Sequence, residues 1–189
     1  MLQMKNITKV FNPGTVNEKK ALSQVNFSMD EGDFVTVIGG NGAGKSTLLN
    51  CIAGVYTLNG GQILLDGKDV TRLPEFKRAP YLGRVFQDPM MGTAADMNIE
   101  ENLAMALRRG KRRGLRWGVT GAERGRYREL LRELDLGLEN RLEDKVGLLS
   151  GGQRQALTLL MATLNPPKLL LLDEHTAALD PRTASKVLD

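Results

Sequence analysis

The stretch GGNGAGKST, residues 39–47, lies between the apolar run FVTVI at residues 34–38 and LLNCIAG at residues 48–54. Glycine inside a helix or strand costs about 0.5–1 kcal/mol relative to alanine, so a cluster of glycines here indicates a specialised turn. The β-branched residues before the turn predict a strand buried on both faces over residues 34–39. A helix is expected after the turn, with Gly54 at its C-terminal end.

Gly39, four further residues and then Gly44-Lys45-Ser46 match the P-loop pattern G-x-x-x-x-G-K-[ST]. Glycines leave backbone N–H groups free to surround a phosphate chain, and the following helix adds its unpaired N–H groups and the positive end of its dipole. Lys45 would reach the β- and γ-phosphates, and the Ser46 hydroxyl would ligate Mg²⁺. The predicted phosphate-binding residues are Gly39, Gly40, Asn41, Gly42, Ala43, Gly44, Lys45, Ser46 and Thr47.

Composition narrows the class of protein only moderately. The 189 residues are 41% hydrophobic and 25% charged, with a net charge of +4 that permits anionic partners but does not require nucleic acid. Cys51 is the only cysteine, which excludes an intrachain disulfide and fits a reducing cytosol. The N-terminus lacks the apolar region of a secretion signal, and no apolar run is long enough to span a bilayer. Work at a membrane would therefore need a separate anchor.

The order of predicted elements favours a parallel α/β core with a helical insert between Met90 and Leu149. Strands are expected at VNFSM (25–29), at LGRVFQ (82–87) and at KLLLLDE (168–174). The insert carries two amphipathic patterns, and Asn98 with Glu101 resembles a capping box at the start of the first. The basic run from Arg108 to Arg116 is interpreted as a solvated loop, with contact to anionic lipid headgroups as the alternative.

Two acidic residues, Asp173 and Glu174, end the apolar run LLLLDE. A carboxylate at a strand end can hold Mg²⁺ directly or through water, and a neighbouring one can polarise a water for in-line attack on the γ-phosphate. We therefore predict Asp173 as a metal ligand and Glu174 as a general base.

The pentapeptide LSGGQ, residues 149–153, predicts a second anion site. Ser150 and Gln153 have capping-box spacing, and two glycines leave the helix N-terminus bare. A nucleotide bound to a single chain does not need both the P-loop and this second anion site. In two copies arranged head to tail, both anion sites would be used.

The P-loop, LSGGQ, and LLLLDE followed by ALD (178–180) occur in that order, and together they resemble the nucleotide-binding domain of the ABC ATPase family. The resemblance implies a P-loop NTPase (RecA-like) core of α/β class, an N-terminal antiparallel β subdomain and an inserted α-helical subdomain. On this view residues 1–189 are a single domain, incomplete at its C-terminus, with residues 1–91 and 165–189 forming the core and β subdomain and residues 92–164 the helical subdomain.

The resemblance also assigns roles to matching positions. Gln87 in VFQDP falls at the family's Q-loop glutamine, which contacts Mg²⁺ or the lytic water and faces the membrane partner. Phe11 would stack on adenine, with a place in the core as the alternative, and Asp180 would lie at the dimer interface. Lys45, Gln87 and Glu174 are thus the expected catalytic residues. The γ-phosphate bound by the opposite subunit would be contacted by Ser150, Gly151, Gly152 and Gln153.

The chain departs from the family pattern twice. His175 stands where proline is usual, and we interpret it as a loop substitution and not as the catalytic histidine, which lies further downstream in the family. The sequence stops at Asp189, before that histidine would appear, so we expect this chain to bind ATP better than it hydrolyses it.

These patterns predict an ATP- and Mg²⁺-dependent subunit that hydrolyses ATP to energise a separate membrane permease, with import of a small organic solute favoured. The expected partners are a second copy of the chain, the permease and a solute-binding protein, but not nucleic acid, and the expected location is the cytoplasmic face of the membrane. The alternatives are an export ATPase, or a soluble ABC ATPase acting on DNA or ribosomes; a single P-loop and a short insert disfavour the soluble class.

Overall fold

The computed structural model describes residues 1–111 and 118–173. The chain divides into two compact units, one from Met1 to Leu82 and the other beginning at Gly83. The predicted division into core and helical subdomains remains a prediction.

The first unit is built on an antiparallel sheet with strand order β2-β1-β3-β4. Central strand β1 pairs with β2 in the register Leu2↔Met29 and with β3 in the register Leu2↔Leu65. Leu2 and Met4 are buried, because a strand presents every second residue to the same face. A β-bulge between Met4 and Ile7 adds one residue to this alternation, so the next buried side chain is Ile7. Within residues 1–82 the elements are β1 Leu2–Phe11, β2 Lys19–Met29, α1 Lys45–Ala53, β3 Gly60–Leu65, β4 Lys68–Asp69 and α2 Glu75–Arg78.

Helix α1 follows the glycine-rich turn as expected. It ends at Gly54, whose φ of 87° is the left-handed conformation that glycine adopts without strain. Cys51 and Ile52 on its inner face are buried. The predicted helix and its glycine stop therefore agree with the structure.

The predicted buried strand over residues 34–39 is wrong. The segment forms no strand, and Phe34 and Ile38 are 83% and 89% exposed. Among the described residues it pairs with no strand, since the two sheets are formed by β1–β4 and by β5 with β6. An apolar, β-branched segment becomes a buried strand only when other strands pair its backbone groups and cover its faces.

The second unit contains a helical cluster and a two-stranded sheet. Ile99, Leu103, Tyr127 and Leu131 are all completely buried in one apolar core, as the amphipathic patterns predicted. Beside Leu82–Val85 (β5), which begins at the boundary, its described elements are α3 Ile99–Leu107, α4 Gly121–Glu133, α5 Gly151–Thr163 and β6 Leu169–Leu172, with 3-10 turns at Pro89–Gly92, Leu138–Asn140 and Val146–Leu148.

The start of the basic run differs from the predicted solvated loop. Arg108 forms an ion pair with Glu123 at 2.8 Å, and its side chain is only 30% exposed. The Nη2 of Arg109 donates to the carbonyls of Ala162 and Asn165 at 3.2 and 3.3 Å. These two arginines hold the end of α3 against other parts of its own unit; residues 112–117 lie outside the described residues.

Candidate functional site

The glycine-rich turn has the backbone conformation that its sequence predicts. Gly42 and Gly44 have φ values of 79° and 93°, in the left-handed region that disfavours other residues. A Cβ at Gly44 would also lie 2.8 Å from the carbonyl oxygen of Ala21. Gly44 is therefore required both by its conformation and by the close approach of β2.

The Lys45 ammonium lies over this turn. Its Nζ donates to the carbonyl oxygens of Gly39 and Gly40 at 2.8 and 3.2 Å. An anion on the N-terminal side of α1 would offer this ammonium stronger, charged acceptors than two carbonyls. The side chain is thus already positioned above the turn that would hold a phosphate.

The N-terminus of α1 is open to an anion. Its cap residue, Gly44, makes no side-chain hydrogen bond to the first turn, and that turn contains no acidic residue. Ser46 is exposed in the first turn, where its hydroxyl would suit Mg²⁺ beside a bound phosphate chain. The glycine turn, the ammonium and the uncapped helix together fit a Mg²⁺-nucleotide.

Phe11, the predicted adenine-stacking residue, packs against two residues that sequence reasoning missed. Its ring makes an edge-on contact with Tyr56 at a centroid distance of 5.3 Å, and the Lys9 Nζ lies 5.0 Å from the Phe11 centroid. Lys9 also donates to the carbonyl of Thr57 at 2.9 Å. Because Tyr56 is 45 residues from Phe11 along the chain, no local pattern indicated this cluster. Stacking on adenine remains a prediction.

The pentapeptide at residues 149–153 begins α5 through the predicted capping box. The Ser150 Oγ accepts from the backbone N–H of Gln153 at 3.3 Å, and the Gln153 Oε1 accepts from the Ser150 N–H at 3.2 Å. The Gln153 Nε2 donates to the Leu136 carbonyl at 3.3 Å, so this side chain supports the turn from inside the unit. Ser150 and Gly151 remain exposed at the helix start.

Arg154 is a further residue that sequence reasoning missed. Its Nη2 donates to the carbonyls of Gly147 and Leu149 at 3.1 and 3.0 Å. The guanidinium therefore braces the turn that leads into Ser150. The sequence shows that Arg154 directly follows LSGGQ. An arginine in a helix, however, gives no pattern that predicts these contacts with backbone carbonyls.

Gln87 and Asp173 follow the ends of two paired strands. The backbone N–H of Asp173, just after β6, donates to the Val85 carbonyl at the end of β5 at 3.2 Å. Gln87 is exposed two residues after β5, and Asp173 is half-buried. The structure thus brings these two predicted residues to the same edge of the small sheet. Glu174, His175 and Asp180 lie outside the described residues.

The comparisons with known proteins agree with these motifs. The ABC transporter family model, ABC_tran, matches residues 22–177. The chain is 45% identical over 190 residues to the "Tyrosine transport ATP-binding protein" of Clostridioides difficile, covering all of this chain and 75% of that protein. It is 37% identical over 180 residues to the "Spermidine/putrescine import ATP-binding protein PotA" of Haemophilus ducreyi, covering 95% of this chain but only 44% of that relative.

Solved structures give the same result. The ATP-binding cassette MJ0796, in a dimeric post-hydrolysis state bound to ADP and Pi, superposes with a TM-score of 0.83 at 32% identity. The match covers all of this chain and 80% of that one. A second dimeric MJ0796 structure matches with a TM-score of 0.82.

The fold and the motifs define a P-loop NTPase with mixed α/β architecture. The chain belongs to the ABC transporter family and is an ATP-binding, ATP-hydrolysing subunit of that type. In the part of the chain that the structure describes, no helix is both long and apolar enough to cross a membrane.

Proposed function

We propose that two copies of this chain close head to tail around ATP and Mg²⁺ and thereby drive a separate membrane permease. The observation that carries the proposal is the left-handed glycine turn with the Lys45 ammonium folded over it, at the open N-terminus of α1. The exposed, serine-capped start of α5 supplies the second anion site, and the dimeric state of MJ0796 supports the paired arrangement.

Each predicted residue has a distinct role in this proposal. Lys45 binds the β- and γ-phosphates, and the Mg²⁺ ion, which neutralises phosphate charge, is held by Ser46 and Asp173 with Gln87 nearby. Glu174 accepts the proton of the attacking water. Ser150 and Gly151 of the opposite copy contact the γ-phosphate through the serine hydroxyl and the free helix N–H groups. Phe11 and Asp180 contribute adenine stacking and contacts between the copies.

The transported solute is proposed to be a small organic molecule taken up by the cell. The names of the relatives support import, because one is a tyrosine transport protein and another a spermidine/putrescine import protein. An amino acid is the favoured class because the tyrosine transport relative covers the whole chain. The chain would lie on the cytoplasmic face of the membrane, beside a permease that works with a solute-binding protein.

The substitution Glu174→Gln tests this proposal. Without the carboxylate the water is not activated, so the variant should retain ATP and form a stable dimer with Mg²⁺-ATP while releasing little phosphate. Light scattering coupled to size exclusion, with and without Mg²⁺-ATP, measures the dimer. The matched control is Glu133→Gln at the exposed end of α4, which should hydrolyse ATP as the wild type does.

A Glu174→Gln variant that stays monomeric at saturating Mg²⁺-ATP would contradict paired closure. A permease co-purifying with the wild-type chain from membranes would support transport, whereas co-purification with ribosomes or DNA would favour the soluble class.

A further inference from the structure

Arg78, the last residue of α2, is a buried cation. Only 2% of its surface is exposed, and among residues 1–111 and 118–173 no carboxylate forms a direct ion pair with its guanidinium, which the charge of Asp69 attracts from a longer distance. A buried charge is costly unless its hydrogen-bonding groups are satisfied. The acceptors of its guanidinium therefore show what this residue holds together.

Two of those acceptors lie at the end of α1. The Nη1 of Arg78 donates to the carbonyl oxygens of Cys51 and Ile52 at 2.9 and 2.8 Å. The last carbonyls of a helix have no partner within the helix, and the negative end of the helix dipole favours a cation there. A Cβ at Gly54 would lie 2.7 Å from the Arg78 Nε, so the glycine that ends α1 also makes room for the guanidinium.

The other acceptors lie in the segment after β4. The Nε donates to the Leu73 carbonyl at 2.8 Å, and the Nη2 donates to the Thr71 carbonyl at 3.0 Å. The Thr71 hydroxyl in turn accepts from the backbone N–H of Ile63 in β3 at 2.9 Å. One planar side chain thus joins the C-terminal end of α1 to a segment that is anchored on the antiparallel sheet.

The N-terminal end of α1 meets the same sheet at Gly44, where a Cβ would lie 2.8 Å from the carbonyl oxygen of Ala21 in β2. Helix α1 has nine residues, a length of about 13 Å, so Arg78 does not reach a phosphate at the other end. Any effect of Arg78 on nucleotide binding must pass through the placement of the helix.

We infer that Arg78 is a positioning residue for nucleotide binding: by holding the C-terminal end of α1 on the β3–β4 side of the sheet, it keeps the N-terminal N–H groups and Lys45 aligned for the phosphates. This role rests on the proposed function, because it requires the P-loop to bind nucleotide. It makes ATP affinity depend on a side chain that touches no part of the ATP.

The test compares Arg78→Ala with Arg72→Ala, an exposed arginine six residues earlier in the same unit. Titration with the fluorescent analogue mant-ATP measures the Kd. The Arg78→Ala variant should bind about 10-fold more weakly, and the Arg72→Ala variant should stay within about 2-fold of the wild type. Millimolar ethylguanidinium should restore affinity to Arg78→Ala only, because it replaces the missing guanidinium.

The reactivity of the Cys51 thiol provides a second measurement of the same contact. Cys51 is the only cysteine, and its backbone carbonyl accepts a hydrogen bond from Arg78. Its alkylation by iodoacetamide should be about 10-fold faster in Arg78→Ala and slow again with ethylguanidinium. Burial raises the pKa of the Cys51 thiol and the charges of Lys9 and Arg78 oppose that rise. Loss of Arg78 alone would therefore leave less thiolate, so faster alkylation must reflect opening of the helix end.

An Arg78→Ala variant that is folded by circular dichroism and binds mant-ATP with the wild-type Kd would overturn the positioning role. If that variant does not fold, Arg78→Lys decides, because lysine keeps the charge but lacks the planar fork of donors. A folded Arg78→Lys with weakened binding supports the role, whereas wild-type affinity, or failure to fold, shows a purely structural contact. Absence of mant-ATP binding by the wild type itself would contradict the proposed function and, with it, this inference.

Discussion

Single residues in this protein act mainly through the backbone groups that they free or satisfy. Gly44 has no side chain that could cap the N–H groups at the start of α1, and a side chain there would collide with the Ala21 carbonyl. Arg78 satisfies carbonyls at the end of the same helix. In both cases the side chain, or its absence, determines where a length of backbone can lie.

A carboxylate in the β3–β4 hairpin should make stability depend on acid pH. Hydrogen bonds from the Thr71 hydroxyl, the Gln62 amide and the Thr71 N–H lower the pKa of Asp69 to about 2. Because this pKa is below its unfolded value of about 3.9, Asp69 stabilises the fold above about pH 4 and loses that contribution as the pH falls through about 2.

The substitution Asp69→Asn measures this contribution. The wild type should have the higher urea midpoint at pH 7, and its advantage should shrink as the pH falls from about 4 to about 2. Urea titrations of both proteins across this range provide the measurement. A difference in midpoint that is independent of pH would show that the carboxylate charge is not responsible.

At the scale of elements, three of the described helices begin with a reciprocal capping box: α3 at Asn98, α4 at Thr120 and α5 at Ser150. In each, a side chain at the cap and a second one three residues later satisfy backbone N–H groups that the helix leaves unpaired. The three caps are chemically alike, so a special function for the Ser150 cap must show as an effect that the other caps lack.

The pair Ser150→Ala and Thr120→Ala separates capping from nucleotide contact. Each change should lower the free energy of unfolding by about 1 kcal/mol, because each removes an acceptor for the third N–H of its helix. Only Ser150→Ala should also weaken the ATP-dependent dimer, by about 10-fold when measured by light scattering in the Glu174→Gln background. If the two variants dimerise equally well, Ser150 caps its helix but does not contact the nucleotide.

At the scale of the whole molecule, the proposed site is shared between copies. The P-loop belongs to the unit from Met1 to Leu82, and the serine-capped helix belongs to the unit that begins at Gly83. In a head-to-tail pair each ATP would use the P-loop of one copy and the Ser150 of the other. A chain with a defective P-loop and a chain with a defective LSGGQ should therefore restore activity to each other when they form a mixed dimer.

Mixing Lys45→Met with Ser150→Ala tests that arrangement. Each variant alone should release little phosphate, while an equal mixture should recover about a quarter of the wild-type rate, because half of the dimers are mixed and each of these has one intact site of two. The control mixes Lys45→Met with the double variant Lys45→Met/Ser150→Ala, which contains no intact site and should stay inactive. A mixture no more active than its components would argue against a shared site.

Features that depend on residues close together along the chain could be predicted from the sequence. The left-handed turns at Gly42 and Gly44, the glycine stop of α1 and the capping boxes at Asn98 and Ser150 all follow from residue types a few positions apart. Such features are predictable because the interacting groups are fixed by local backbone geometry. The order of the P-loop, LSGGQ and LLLLDE motifs was likewise enough to indicate the family.

Contacts between segments that are far apart along the chain could not be predicted from the sequence and were found only in the folded structure. Arg78 lies 26 residues from Ile52, and Tyr56 lies far along the chain from Phe11, so neither contact leaves a periodic signal. The run at residues 34–38 shows how this limits prediction. Its apolar, β-branched residues are typical of a buried strand, but they do not indicate whether other strands lie beside it and cover it. A pattern records the capacity of a segment to pair and pack, whereas burial depends on the partners that the rest of the fold brings to it.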